Sequence, residues 1–253
     1  NTKYSYTCSS LSDVKYLASL NKKINIHLKI NTGMNRYGFK NLEEFVFALK
    51  KIKKSKLNLE GVFTHFLTAD KFVKKQIKKF NFYKRVVESF GFKTIFHADN
   101  SAVSIKHNHN LNMVRVGYNL FVNNSLGFVS PVVIRSTIVQ VNKIKANEYV
   151  GYNKIFQAKH KMQVAVVPIG YADGFSVKLI GKSLFLKNKF CKILNVCMDC
   201  FMLDVTNLNI KKGTDIFILN NINSLTVYSK YLKISEYEVL TNFSRIRANR
   251  FAL

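Results

Sequence analysis

The 253-residue chain is 47% hydrophobic and 13% aromatic, and its 40 basic against 14 acidic side chains give a net charge of +26. That apolar content excludes a disordered chain and suffices for one large domain or two smaller ones. No apolar run approaches the roughly 18 residues of a membrane helix, and no basic-then-apolar leader opens the sequence, so neither a membrane nor an export route is expected.

The first residues, Lys3–Cys8, alternate like a strand, and Ser9-Ser10 then cap the apolar-periodic Leu11–Leu20 as a helix. Asn25–Ile30 reads as a second strand. Residues 42–52 carry helical spacing at Leu42, Phe45, Phe47, Leu49 and Ile52. Leu57–Phe63 is a strand ending at Thr64-His65-Phe66. A long helix follows from Lys71 to Phe90, with Phe80, Tyr83, Val86 and Val87 on its apolar side. Thr94–His97 is a short strand, Asn100–Ile105 a short helix, and Met113–Val116 a fifth strand.

Strands alternating with helical segments imply βα units around a parallel sheet. The last four strands carry a polar residue at or near their ends: Lys29, His65, Asn100 with Ser101, and Arg115. In a (β/α)8 barrel those ends form the active-site rim. The expected architecture is therefore a partial (β/α)8 TIM barrel of about five βα units. A complete barrel has eight strands, so the first three units, of roughly 30 residues each, are expected to lie upstream of Asn1.

From about Val129 the texture changes to strands separated by turns, with little helical period before Ser235. An all-β C-terminal domain is expected, with the boundary in Asn123–Ser130, which divides the chain into residues 1–126 and 127–253. Within it, Val164–Gly174 is a buried strand that stops at Pro168, with Gly170 and Gly174 bracketing Tyr171-Ala172-Asp173. A phenol presented from so tight a loop is either a structural hydrogen-bonder or a proton-transfer group.

The positive charge invites a nucleic-acid reading, but Lys22, Lys23, Lys51, Lys53, Lys54, Lys74, Lys75, Lys78 and Lys79 are dispersed over solvent faces of helices, so no nucleic acid is expected. The four cysteines are Cys8, Cys191, Cys197 and Cys200. If 196–205 is one strand, Cys197 and Cys200 point to opposite faces. No metal site is then expected, and the thiols are free in a reducing cytoplasm.

The motifs fall in one order: Lys29-Ile-Asn-Thr-Gly-Met-Asn-Arg36-Tyr-Gly-Phe39, Thr64-His65-Phe66 with Ala69-Asp70, Asn100-Ser101-Ala102, Val114-Arg115-Val116-Gly117, Gly151-Tyr152, Pro168-Ile-Gly-Tyr171-Ala-Asp-Gly174 and Cys197-Met198-Asp199. Together they strongly resemble alanine racemase, a pyridoxal-phosphate enzyme with an N-terminal barrel and a C-terminal β domain. The resemblance covers essentially the whole chain. It implies an isomerase that interconverts L- and D-alanine in the cytoplasm by a two-base mechanism and supplies D-alanine for peptidoglycan.

Residue by residue, the resemblance implies the following. Arg115 faces the cofactor's pyridine nitrogen. An arginine cannot give up its proton, so that nitrogen stays unprotonated and racemisation wins over transamination. His65 supports the arginine. Ser101, with the amides of Gly117 and Tyr118, forms the phosphate cradle. Arg36 contacts the phenolic oxygen and the substrate carboxylate, and Lys29, carbamylated in some relatives, buttresses it. Asn100 belongs to the same rim. Tyr171 is the proton acceptor on one face, contributed across a homodimer. The Met198 amide holds the substrate carboxylate, and Asp199 supports that loop.

Five departures stand out. The family's Schiff-base lysine lies on the first barrel strand, in a Lys-Ala-(Asn/Asp)-Ala-Tyr-Gly-His-Gly stretch, and is absent here. The look-alike at Lys145–Gly151 lacks the His-Gly ending and falls between strands of the second domain. Asn31 replaces a usual aspartate, and Tyr118 an aliphatic residue. Cys200 stands where a glutamine is common, and Ser244 where some relatives place a phosphate-binding tyrosine. The alternatives are a truncated, non-catalytic relative of the same fold, or a racemase for serine, lysine or another amino acid.

Overall fold

The computed structural model describes residues 4–122 and 130–243, and the chain divides into two compact units, residues 1–119 and 120–253. The expected boundary at 126/127 and the position of Ser244 lie outside the described residues.

The first unit repeats strand and helix: β1 (Ser5–Cys8), α1 (Leu11–Ser19), β2 (Ile24–Lys29), α2 (Leu42–Lys53), β3 (Leu57–Phe63), α3 (Phe72–Ser89), β4 (Ile95–Asn100), α4 (Ser101–Lys106) and β5 (Met113–Arg115). A single turn, α5 (Tyr118–Phe121), follows. All five strands are parallel and pair in chain order, β1-β2-β3-β4-β5. Strands that pair consecutively through right-handed crossovers carry every helix on the same face, which is the winding of a barrel wall rather than of a doubly wound sheet.

Local chemistry explains each helix. Ser10 and Asp13 form a capping box at the start of α1. Asn41 caps α2, whose first turn holds Glu43 and Glu44 and whose last turn holds Lys50, Lys51 and Lys53, matching the helix dipole at both ends. In α3, Val73, Gln76, Phe80, Tyr83 and Val87 recur at helical spacing and are buried. Of these, Val73, Phe80, Tyr83 and Val87 pack with Ile26, Leu28, Val62 and Phe96 of the sheet into one core.

The second unit holds a five-stranded antiparallel sheet ordered β11 (Ser183–Leu186), β12 (Lys189–Val196), β13 (Phe201–Asp204), β10 (Met162–Val167), β7 (Gln140–Ile144). Two-stranded pairs join β6 (Ile134–Thr137) to β14 (Asp215–Leu219), and β8 (Tyr149–Val150) to β9 (Phe156–Gln157). Its core centres on Phe175 stacked against Phe201, with ring centroids 4.3 Å apart.

Two expectations need correction. Cys197–Cys200 is not in a strand but is the turn between β12 and β13, where the Cys197 N–H donates to the Cys200 carbonyl at 2.7 Å. The opposite-face argument against chelation therefore fails, although among the described residues no cluster of three metal-ligating side chains exists. The unit also holds a helix before Ser235, α6 (Leu225–Leu232), capped by Ser224, while α7 (Glu236–Asn242), capped by Ser235, starts where helical period was expected. The apolar contacts of Leu225, Tyr228 and Leu232 define α6, a three-to-four spacing that the short segment hid among polar residues. No described helix is long and apolar enough to cross a membrane.

Gly38 closes the loop after β2 with φ +112°, and a Cβ there would lie 2.6 Å from the Lys29 carbonyl oxygen. Gly91 has φ +78° but open space around it. Gly38→Ala is expected to cost about 3 kcal/mol and Gly91→Ala about 1 kcal/mol. Equal losses in urea denaturation would contradict that difference.

Candidate active site

The carboxyl ends of the parallel strands bring the first group of residues together. Lys29 ends β2, Asn100 ends β4 and Arg115 ends β5, while His65 lies two residues beyond β3. The half-buried Arg115 guanidinium is the centre of the group. Its Nη1 donates to His97 Nδ1, and its Nη2 donates to the Thr64 carbonyl at 2.7 Å. Longer contacts of 3.4 Å reach His65 Nδ1 and the Ala98 carbonyl. Phe63 forms the floor: its ring centroid is 5.2 Å from Arg115 Cζ, and the His97 ring stacks on it at 4.9 Å. Among the described residues, no hydrogen bond engages Arg115 Nε.

The acceptors of Arg115 are themselves fixed. The Thr64 hydroxyl donates to the Ile30 carbonyl at 2.8 Å and accepts from Thr32, whose oxygen in turn accepts from buried Gln76 Nε2 at 3.0 Å. Gln76 also accepts from the Leu67 N–H at 2.9 Å, so one side chain of α3 pins the segments after β2 and β3.

The electrostatics are those of an anion site. Lys29 is only 8% exposed, lies 5.1 Å from the Tyr37 ring and 5.6 Å from the Phe63 ring, and has no carboxylate partner among the described residues. Burial, then Arg36, then Arg115 push its ammonium down from the usual lysine range. Burial, then Arg115, Arg36 and Lys29 lower His65 in the same way. His97 is pushed to about 3, by burial first and by Arg115 next, so it is neutral at working pH.

Next to this group, the Gly117 N–H meets Ser101 Oγ at 2.8 Å, and Asn119 Nδ2 donates to the Ser101 carbonyl at 3.0 Å. Asn100 caps α4 through the Val103 N–H and donates to the Phe66 carbonyl at 3.3 Å. Tyr118 opens α5. Arg36 is exposed on the loop that Asn31 organises, where Asn31 Oδ1 accepts the N–H groups of Gly33 and Asn35 at 3.1 Å each.

The second unit gathers the other predicted residues. The Tyr171 N–H donates to the Cys197 carbonyl at 3.0 Å and the Ala172 N–H to the Met198 carbonyl at 2.9 Å, which joins the two loops. Gly170 allows this approach, because a Cβ there would meet the Met198 oxygen at 2.3 Å. Asp173 accepts from the Gly170 N–H at 2.9 Å. The Tyr171 side chain is 49% exposed and edges a cleft of about 560 Å³ shared with Ser176, Val177 and Asn242. Met198 is exposed beside Asp199 at the same end of the sheet. Burial, then Cys197, raises the Cys200 thiol to about 12.

Family models describe residues 2–125 as "Alanine racemase, N-terminal domain" and residues 132–251 as "Alanine racemase, C-terminal domain". The alanine racemase of Borreliella burgdorferi strain ZS7 is 32% identical over 265 residues, covering 95% of this chain and 71% of that protein. The chain belongs to the alanine racemase family. The alanine racemase of Ligilactobacillus salivarius is 30% identical, over 91% of this chain and 67% of its own. Among solved structures, alanine racemase of Clostridium difficile 630 superposes with a TM-score of 0.88 at 29% identity, over 96% of this chain and 69% of that one. A Bacillus anthracis alanine racemase solved with bound L-Ala-P gives 0.84 at 25% identity, over 95% and 68%. The fold is that of an alanine racemase, a barrel followed by a C-terminal β domain, and the family is pyridoxal-phosphate dependent.

The residues of the first unit suit that cofactor. The Nε–H of Arg115, engaged by none of the described residues, is a donor for a ring nitrogen, the Ser101 hydroxyl and Gly117 amide meet where a phosphate oxygen can take both, and Lys29, Arg36 and Arg115 concentrate positive charge, with Asp99 the carboxylate that acts on Arg115. Sequence reasoning missed Phe63, His97 and Gln76. His97 was discoverable: it lies in the apolar strand Ile95–Ala98, where a polar side chain needs a partner.

Because His97 has a folded value of about 3 against an ordinary 6.5, only the unfolded chain takes up this proton as the pH falls. Its burial therefore opposes folding below 6.5, and stability declines from there towards 3 by on the order of 1 kcal/mol per pH unit. Denaturation across that range should show the slope and His97→Gln should flatten it; an unchanged slope in the variant would contradict the assignment.

Proposed function

We propose that this chain carries the cofactor and substrate contacts of a racemase that interconverts L- and D-alanine. The observation that carries the reading is the Arg115 guanidinium, held by both Nη atoms with Nε engaged by none of the described residues. In this reading residues 1–126 are a five-strand sector of an eight-stranded barrel, and residues 127–253 form the β domain that bears the tyrosine. The lysine that anchors the cofactor in the family is not one of the lysines of this chain.

When bound, pyridoxal phosphate supplies an electron sink that acidifies the α-proton of an amino acid. The chain's own groups do the rest. Arg115 Nε donates to the ring nitrogen and, as an obligate donor, cannot pass a proton to it. His65 stays neutral and accepts from Arg115, so it adds no charge beside the ring. Ser101 Oγ and the amides of Gly117 and Tyr118 hold the phosphate, with Asn100 fixing the turn that bears Ser101. Arg36 pairs with the substrate carboxylate and the phenolic oxygen. Lys29 keeps Arg36 in place; its depressed ammonium favours the neutral amine that carbon dioxide can carbamylate, and a carbamate would supply the missing negative charge.

Tyr171 Oη takes or returns the α-proton on one face, presented by a rigid pair of loops, while the Met198 amide holds the carboxylate and Asp199 steadies that turn. Tyr171 serves the barrel of a second copy in a homodimer. The product would feed peptidoglycan assembly in the cytoplasm, where the chain's free cysteines remain reduced.

Three measurements test this. The purified 253-residue chain with added pyridoxal phosphate is expected to form no D-alanine, and turnover would overturn the missing-lysine reading. In protein supplied with the family's lysine-bearing strand, Tyr171→Phe should cut racemisation about 10²- to 10⁴-fold; normal rates would remove Tyr171 from the mechanism. Labelled bicarbonate should give a carbamate resonance that disappears in Lys29→Arg, and its absence in the parent protein would exclude that modification.

A further inference from the structure

The register of β2 against β3 slips by one residue: Ile26 pairs with Leu59, but His27 pairs with Gly61. Such a bulge gives one strand an extra residue and re-aims its side chain. The extra residue is Glu60, and its Oε2 lies 3.1 Å from His27 Nε2. Ser5 of β1 donates its hydroxyl to the same carboxylate. On the next position of β3, Gly61 leaves the space that the imidazole fills, for a Cβ there would lie 2.2 Å from His27 Nδ1. His27 of β2 thereby reaches across β3 to His97 of β4, Nδ1 to Nε2 at 3.0 Å, with the two ring planes inclined at 66°. His97 in turn takes Nη1 of Arg115 on β5.

The direction of every bond in this row follows from its first member. A guanidinium has no acceptor, so His97 Nδ1 must offer a lone pair. The neutral His97 then carries its proton on Nε2 and donates to His27 Nδ1. That leaves the His27 proton on Nε2, where it meets the Glu60 carboxylate. A reversed tautomer at either ring would set two N–H groups against each other, an unmade bond among buried groups.

We propose that Arg115, His97, His27 and Glu60 form a single one-way hydrogen-bond chain, in which the remote carboxylate sets both imidazole tautomers and so fixes the guanidinium for its task at the cofactor. His97, His27 and Glu60 are positioning residues, because they act through Arg115. The bulge at Glu60 and the bare Gly61 are the two backbone features that let four strands contribute to one row. The consequence for cofactor binding rests on the reading of Arg115 given above.

The test is long-range proton–nitrogen NMR on protein with 15N-labelled histidine and arginine, together with pyridoxal-phosphate affinity from fluorescence titration. Near neutral pH both His27 and His97 should be Nε2–H tautomers, and the Arg115 Nη protons should be resolved. Glu60→Gln keeps an acceptor oxygen and should preserve the pattern. Glu60→Leu removes it and should mix the tautomers of both rings, broaden the Arg115 resonances and weaken pyridoxal-phosphate binding about tenfold. Glu60 is partly exposed, so Glu60→Ala serves as the second variant if leucine impairs folding. A Nδ1–H tautomer at His97, or tautomers indifferent to residue 60, would overturn the chain. Scrambled tautomers with unchanged cofactor affinity would leave the chain standing and overturn Arg115 as a cofactor contact.

Discussion

A cation that can only donate hydrogen bonds, set among groups that turn lone pairs towards it, is the constraint on which the first unit depends. Arg115 cannot be neutralised by losing its proton, and half-burial makes any unsatisfied N–H costly. The surroundings answer with the Thr64 carbonyl and two histidine lone pairs. Each of these acceptors then needs its own support. The Thr64 segment obtains it from Thr32 and Gln76, and His97 obtains it from stacking on Phe63 and from His27. The site is thus a consequence of satisfying one guanidinium.

The fold makes this economical. In a parallel sheet wound in one direction, the carboxyl ends of successive strands are neighbours, so residues far apart in sequence become adjacent without long loops. Lys29, His65, Asn100 and Arg115 come from four consecutive strands or the turns that follow them. The same geometry buries Lys29 and His65 and concentrates Lys29, Arg36 and Arg115, so burial first and like charge second lower Lys29 and His65, and the cluster fits a phosphorylated, anionic cofactor. In the second unit, backbone bonds between residues 171–172 and 197–198 do the corresponding work. They hold a phenol at the mouth of a cleft, leaving its hydroxyl free of any buried packing role.

The sequence revealed strand ends well because polar residues interrupt apolar runs there, as at Lys29 and Arg115. The motifs around Arg36, Tyr171 and Met198 stood out because glycines and a proline punctuate them. It revealed less where meaning lay in pairing rather than pattern. His97 and Phe63 matter through each other across adjacent strands, and Gln76 reads as one polar residue on an otherwise ordinary helix. The register slip at Glu60 leaves no local trace, since alternation along β3 reads the same with or without it. The turn at Cys197–Cys200 was mistaken for strand because apolar residues flank it on both sides, and α6 was overlooked because a helix of about two turns shows too few repeats of its period.

Arg115 is proposed to keep the cofactor nitrogen facing it free of a proton. The direct measurement is the nitrogen NMR shift of pyridoxal phosphate labelled with 15N in its ring and bound to the protein. An unprotonated ring nitrogen is expected with Arg115 in place and a protonated one in Arg115→Glu. A protonated nitrogen in the parent protein, or one indifferent to residue 115, would contradict it.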